Sequence, residues 1–515
     1  MDPEGRGTPW SGRELDGKKD MQTVVVPQVG AHQGDEEQEW AVYFHQYELG
    51  CLSLFSYLIG DTTTGRAIVV DPQRDVSGYL ADARDHGLRI EQVIETHVHA
   101  DFLSGHLELA KATGATIAYG AGAQTDFPIL ELGHGERIVL GEVVVEIRAT
   151  PGHTPESISL VVWEHADDPE PWAVLTGDAL FLGDVGRPDL LASAGRSPDD
   201  MGRSLYRSLQ EQILTLPDGT RVYPAHGAGS ACGKQLSTAA ESTIGEQRRT
   251  NYALAPMSED EFVAVVTEGQ SLAPAYFGYA ADANRRARDL LDDEAPTETL
   301  TLDQVLSIVA EGGVVLDGRN PEVFASGHLV GSINVGLDGR FAEYAGDVVD
   351  PGRPIVLVTE PGRETEARVR LARIGFDKVV GHLPDIEQVL IARPDLSERA
   401  RRISADDLAT WRDDQPGLQI IDIRNAGEQE QGVIPGAHRL PLAGLAAGIA
   451  TAGLDPGAPT VVYCAGGYRS SIGASTLRQR GFATVADILG GFQAWAGAGL
   501  PVESKATHVV AGRTI

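Results

Sequence analysis

The stretch VIETHVHADFLSGH, residues 93–106, decides how the N-terminal half reads. It opens on an apolar, β-branched run and then sets His97, His99 and Asp101 at alternate positions, with Phe102 and His106 following. Loops at the C-terminal ends of strands are where α/β folds gather reactive side chains. Two imidazoles two residues apart, with a carboxylate two further on, converge on one cation when such a loop is tight.

Reading outward, short apolar runs at Trp40–Phe44, Cys51–Ile59 and Ala67–Val70 predict strands, and Val76–His86 a helix. Further strands are predicted at Thr116–Tyr119, Arg137–Leu140, Val143–Ala149, Ile158–Trp163, Ala173–Thr176 and Arg221–Tyr223. Ser204–Leu214 reads as a helix and residues 234–292 as mainly helical. This is an α/β layered pattern. Three more units repeat the strand-then-turn design: TPGHTP around His153, LTGD ending at Asp178, and PAHG around His226. Each holds a Pro or Gly that lets the backbone turn sharply. Buried histidines satisfied by hydrogen bonds would not explain four such motifs in order.

In order and spacing these four motifs resemble the metallo-β-lactamase superfamily, over about residues 40–290. The superfamily's dinuclear hydrolases carry HxHxDH as their first motif. Here the sixth position is Phe102, which cannot ligate a metal, so the second metal site is expected to be impaired. Within the superfamily the pattern looks most like the persulfide dioxygenases. That resemblance implies one Fe(II) per chain on His97, His153 and Asp178, a face that leaves room for a thiolate-type substrate and O2. His99, Asp101 and His226 then either orient ligands and water or are remnants of the lost site. GDVGRPD, residues 183–189, resembles the family's stretch near the active site. Arg187 binds an anionic persulfide or carboxylate with Asp189 beside it, or simply contacts Asp189 or Asp184. Cys232, six residues after His226, carries a persulfide, tunes access, or packs as a small apolar side chain. Cys51 is given no role.

The acidic, proline-bearing LDDEAPTET, residues 291–299, reads as a linker. Beyond it the chain repeats itself with a period of about 106 residues, taken from the Gly-Phe pairs at 375–376 and 481–482. Each copy predicts a small α/β unit with a parallel sheet. In the second copy a buried strand runs into Cys464-Ala-Gly466-Gly467-Tyr-Arg469, with a helix directly after it. The glycines let the loop curl so that its N–H groups point inward, and the helix N-terminus and Arg469 add positive charge. This favours a thiolate and a persulfide anion on Cys464. The segment resembles the rhodanese active loop, and Asp422-Ile-Arg424 and Gly432-Val-Ile-Pro-Gly436 resemble that family's earlier signatures. The six-residue loop favours sulfur over the phosphate chemistry of the related seven-residue phosphatase loop. The first copy keeps Asp317-Gly-Arg319, but the alignment sets Val358 opposite Cys464, which predicts a catalytically dead domain.

Composition narrows the partners. A net charge of −32 repels nucleic acid and anionic membranes. Three well-separated cysteines and no CxxC pair point to a reducing cytoplasm rather than a disulfide framework. No run approaches the length of a membrane span.

The expected fold is therefore α/β: an N-terminal metallo-β-lactamase αββα sandwich followed by two rhodanese-like α/β domains with parallel sheets. The expected division is a disordered tail over 1–37, the metal-binding domain over 38–292, an inactive rhodanese domain over 293–398, an active one over 399–505, and a tail over 506–515. The order of domains resembles bacterial persulfide dioxygenase–sulfurtransferases. It implies oxidation of a glutathione- or coenzyme A-type persulfide by O2 to sulfite, sulfur transfer through Cys464 between sulfite and thiosulfate, and a homo-oligomer. Two other readings stand beside it: a glyoxalase II-type thioester hydrolase fused to a sulfurtransferase, and a non-enzymatic persulfide carrier or sensor.

Overall fold

The computed structural model describes residues 21–24, 41–190, 192 and 195–503. Two sheets face each other in the first region. The seven-stranded sheet runs in chain order through Met21–Val24, Val42–Leu49, Leu54–Asp61, Arg66–Val70, Arg89–Glu95, Thr116–Gly120 and Leu130–Leu132. The six-stranded sheet runs Ser242–Thr243, Arg221–Pro224, Ala173–Gly177, Ile158–Trp163, Val144–Ala149 and Arg137–Val139. Alternation along each strand decides the layers. Val145, Ile147, Leu160 and Val162 turn inward to meet Tyr57, Ile59, Ile68 and Ile94 of the other sheet. Val161, Val174 and Val222 turn outward under the helices Pro198–Ser208 and Glu259–Thr267. On the opposite side Leu58, Val69 and Val93 pack against Tyr79 and Leu109 of the helices Ser77–Asp85 and His106–Thr113. The result is the expected αββα sandwich.

Three details differ from the sequence reading. Met21–Val24 lie within the stretch expected to be a disordered tail, yet pair antiparallel with Val42–Leu49, Met21 opposite Leu49. The rest of that tail, and the tail over 506–515, lie outside the described residues. The stretch 234–292 is α-helical only at Ile244–Thr250, Glu259–Thr267 and Phe277–Ala283, with a short 3-10 turn at Tyr252–Leu254. Its prolines and glycines break the intervening chain into loops. The helix expected at Ser204 begins instead at Pro198, capped by Ser197.

The two repeats each form a parallel sheet. The first orders its strands Ile333–Asn334, Val314–Asp317, Ile355–Val358, Val379–His382. The second orders them Arg401–Ile403, Val485–Ile488, Thr460–Tyr463, Gln419–Asp422, His438–Arg439. The ladders correct the repeat alignment. Asp317 pairs with Val358, and Asp422 pairs with Tyr463. Val358 is thus the counterpart of Tyr463, and Thr359 stands where Cys464 does. The following helices start at Glu364 and Arg469, again in step. The extra residue that made the period look like 106 lies downstream of those helix starts. The first copy therefore has a hydroxyl in place of the thiol and a carboxylate in place of Arg469.

One apolar core runs through all three regions. It joins Phe102, Tyr276 and Phe277 to Leu337 and Phe341, and these to Ile421, Cys464 and Ile472. Arg74 clamps the first region to the second: it is buried, and donates to Glu108, Asp377 and the carbonyls of Ala372 and Asp289. The linker is held too, because Arg368 Nη2 donates to the carbonyls of Asp292, Asp293 and Ala295.

Candidate metal centre and candidate sulfur-transfer loop

The four motif loops leave the sheets at one edge of the sandwich and bring their side chains together. His97, His153 and Asp178 are buried, with ligand atoms all within 4.8 Å of one another. His153 Nε2 lies 3.3 Å from Asp178 Oδ2, and His97 Nε2 lies 3.9 Å from it. His153 Nε2 and both Asp178 oxygens have no hydrogen-bond partner despite these short distances. Buried polar atoms in that state are costly unless a cation completes them, so the donor set fits a metal ion. The ring orientations are fixed from behind. Thr96 Oγ1 lies 3.0 Å from His97 Nδ1, and the Arg187 carbonyl lies 3.1 Å from His153 Nδ1. Burial and the neighbouring imidazoles push the His97 pKa well below its ordinary value, and burial lowers His153. Both shifts favour the neutral imidazole, the form that ligates.

His99, Asp101 and His226 separate into two further groups. Asp101, His226 and Cys232 have their ligand atoms within 4.8 Å of one another. His226 Nε2 lies 3.3 Å from Asp101 and 3.4 Å from Asp178 Oδ1. The two Asp101 oxygens and His226 Nε2 also lack hydrogen-bond partners. His99 faces away, toward Asp71 Oδ1 at 2.9 Å and Glu95 Oε2 at 3.2 Å. Burial works against its charge, but Asp71 and Glu95 hold the imidazole well above its ordinary pKa. His99 is thus an ion-paired brace. Phe102 packs on it with ring centroids 4.4 Å apart, and His106 joins the same brace through Glu95 at 3.2 Å.

Sequence reasoning missed Asp71, Glu95 and Asn284. Asp71 accepts from both N and Oγ1 of Thr96 and so sets the loop that presents His97. Its positive φ of 49° at a strand end is invisible in the sequence. Asn284 clasps the motif loop from 180 residues away through Ser104 N and the carbonyls of His99 and Phe102.

Arg187 has its guanidinium occupied. It pairs with both oxygens of Asp189 at 2.8 Å and donates to the carbonyls of Ala231 and Ser271. This is the contact with Asp189 that the sequence left open. Cys232 is buried beside the cluster, and burial together with Asp101 and Asp178 pushes its thiol pKa well up. Cys51 lies at the seam between regions, 3.4 Å from Arg373 Nη1.

In the second repeat Cys464 is buried at the end of Thr460–Tyr463, and Gly467 N donates to its Sγ at 3.1 Å. Gly467 has φ +94°, the left-handed conformation the curled loop needs. Gly466 forms the exposed outer part of the curl. Asp422 and Arg424 form a buried ion pair beneath the loop, and Tyr463 Oη donates to Asp422 at 2.7 Å. Unforeseen was the helix Gly491–Gly497, whose Phe492 and Gln493 N–H groups donate to the carbonyls of Cys464 and Ala465.

Comparison with known proteins agrees with this geometry. Residues 49–226 match the metallo-beta-lactamase superfamily, and residues 301–384 and 404–498 each match the rhodanese-like domain. The persulfide dioxygenases ETHE1, mitochondrial, of Bos taurus and Homo sapiens are each 31% identical over 236 residues. That is 45% of this chain and 83% of theirs. The chain belongs to the metallo-β-lactamase superfamily. Two rhodanese-like domains follow that superfamily's domain, in one fused chain. A metallo-beta-lactamase structure from Staphylococcus aureus subsp. aureus COL aligns with TM-score 0.61 at 31% identity. It covers 67% of this chain and 100% of its own. Among the described residues no helix is long and apolar enough to cross a membrane.

Proposed function

We propose that the chain oxidises low-molecular-weight thiol persulfides with O2 and passes sulfane sulfur through Cys464. The observation that carries this is the buried His97–His153–Asp178 set with unsatisfied ligand atoms, in a domain 31% identical to persulfide dioxygenases. These three residues would hold one Fe(II), which supplies a centre where O2 and a thiolate-type sulfur can meet. The overall reaction takes one persulfide anion, one O2 and one water to free thiol, sulfite and a proton. His226 and Asp101, 3.3 Å apart, orient the reacting sulfur or water beside the cluster.

In the second step the Cys464 thiolate takes the outer sulfur of a persulfide and releases the thiol. Sulfite then accepts that sulfur, leaving as thiosulfate and restoring the thiolate. Gly467 N–H, the helix N-terminus and Arg469 stabilise the anion on Cys464. The physiological setting proposed is persulfide detoxification in the cytoplasm, consistent with three free cysteines. Oligomerisation is part of the same proposal.

One observation favours the thioester-hydrolase reading: Asp101, His226 and Cys232 converge as a second candidate ligand set. The deciding experiment measures O2 uptake, sulfite and thiosulfate from iron-loaded protein given glutathione persulfide. Uptake with thiosulfate formed, and sulfite alone from Cys464→Ser, is the expected result. No uptake from protein holding one Fe(II) would end the dioxygenase reading.

A further inference from the structure

Between the three regions lies a cavity of about 930 Å³. Its wall includes Ser230 and Ala231, next to Cys232, on one side, and Glu428 and Arg469 of the Cys464 loop on another. The helix Phe341–Val348 of the catalytically dead repeat supplies the remainder through Glu343, Tyr344 and Asp347, with Arg340 at its start. A second, narrow space of about 10 Å³, the room for one water, touches Asp101 of the metal cluster. Ser230, Ala231, Arg340 and Glu343 line both spaces. The way from the cavity to the cluster therefore passes Arg340 and Glu343, which form an ion pair across it. Arg340 also donates to the Gly229 carbonyl, while its buried Nε has no hydrogen-bond partner. Asp347, 7% exposed, likewise has an unpartnered Oδ1.

The wall is chemically mixed. Lys234, Arg340 and Arg469 face the carboxyl groups of Glu268, Glu343, Asp347, Glu428 and Glu430. A tail bearing several phosphates meets more carboxyls than cations there, in a chain whose net charge is already −32. A tail with both an ammonium and carboxylates finds partners of each sign.

We propose that this cavity is the common substrate chamber of both centres, that it takes a zwitterionic amino-acid-type thiol rather than a phosphate-bearing one, and that the tail's carboxylate draws Arg340 from Glu343 to open the way to the metal cluster. The dead repeat then has a function: it supplies the residues that read the carrier. This rests on the persulfide reading above, but its test can fail separately.

The test is calorimetric binding of S-methylglutathione and of coenzyme A to the full-length protein, with O2 uptake and sulfur transfer followed beside it. S-methylglutathione is expected to bind at least about tenfold more tightly than coenzyme A and to inhibit both reactions with one constant. Arg340→Ala should weaken its binding about tenfold or more, and Glu343→Gln, which frees Arg340 without removing it, should tighten it. Equal or tighter coenzyme A binding, unchanged binding in Arg340→Ala, or inhibition of only one reaction would overturn the proposal. Tight, Arg340-dependent binding without O2 uptake would instead remove the dioxygenase reading and leave the chamber standing.

Discussion

Arg469, the residue expected to face the reacting sulfur, gives both arms of its guanidinium to Glu428 at 2.8 and 2.6 Å. Burial works against the charge of Glu428, yet Arg469 holds its carboxyl below the ordinary range. An anionic sulfur donor or acceptor at Cys464 therefore competes with a carboxylate already in place. Glu428→Gln should release that competition and lower KM for sulfite and thiosulfate about two- to fivefold, the size of a partly buried ion pair. Steady-state sulfur transfer measures this directly; an unchanged or raised KM would show that the pair instead positions Arg469 for the reaction.

The sandwich and the two sulfurtransfer-type repeats were legible because β-branched runs ending in His, Asp or Cys mark buried strands with reactive loops. His97, His153, Asp178 and Cys464 sit where those strand ends place them. What the sequence hid depends on register or distance. Thr359, not Val358, is the counterpart of Cys464, because the Gly-Phe landmark lies beyond a helix of different length in the two copies. Asp71 and Glu95 carry no motif and matter only because their strands lie side by side, Val70 opposite Ile94. Ser197-Pro198 was a readable helix start that the apolar pattern overshadowed.

Asp178 lies 3.3 Å from His153 and 3.4 Å from His226, so it borders both candidate ligand sets. If Fe(II) sits on His97, His153 and Asp178 alone, metal analysis of purified protein should give one ion per chain. Cys232→Ser should leave that count at one, whereas Asp178→Asn should lower it to near zero and abolish O2 uptake while Cys464 still transfers sulfur. Two tightly held ions, with one lost in Cys232→Ser, would favour the dinuclear hydrolase.

Glu343 provides a pH signature. Its ordinary value is 4.5, and in the folded chain burial raises it to about 7 against the opposing pull of Arg340. Asp101 adds to the rise, Arg469 opposes it, and Asp347 on the same helix is raised as well. The folded state thus binds more protons than the unfolded state across this range, so stability falls as pH rises from about 4.5 through about 7. The Tm of the wild type should drop between pH 5 and pH 8 more steeply than that of Glu343→Gln, which cannot titrate. Parallel profiles would mean that Glu343 stays ionised in the fold.

Gly491 allows a separation of the two centres. It has φ +56°, and a Cβ there would stand 2.3 Å from the Cys464 carbonyl oxygen. That carbonyl is held by Phe492 N at 2.7 Å, so Gly491→Ala pushes on the backbone that aims Cys464. The strain falls on both the left-handed conformation and a backbone contact that cannot yield cheaply. Gly467, whose Cβ would meet Gly490 N at 2.9 Å, is under the same constraint from the other side of the loop. Sulfur transfer should fall about a hundredfold or more in Gly491→Ala, the cost of misplacing a nucleophile by an ångström. O2 uptake should stay near the wild-type rate because the metal cluster is built on the N-terminal sandwich, apart from the parallel sheet that carries Cys464. Assaying both reactions on one preparation distinguishes loop distortion from global unfolding, which would remove the two together.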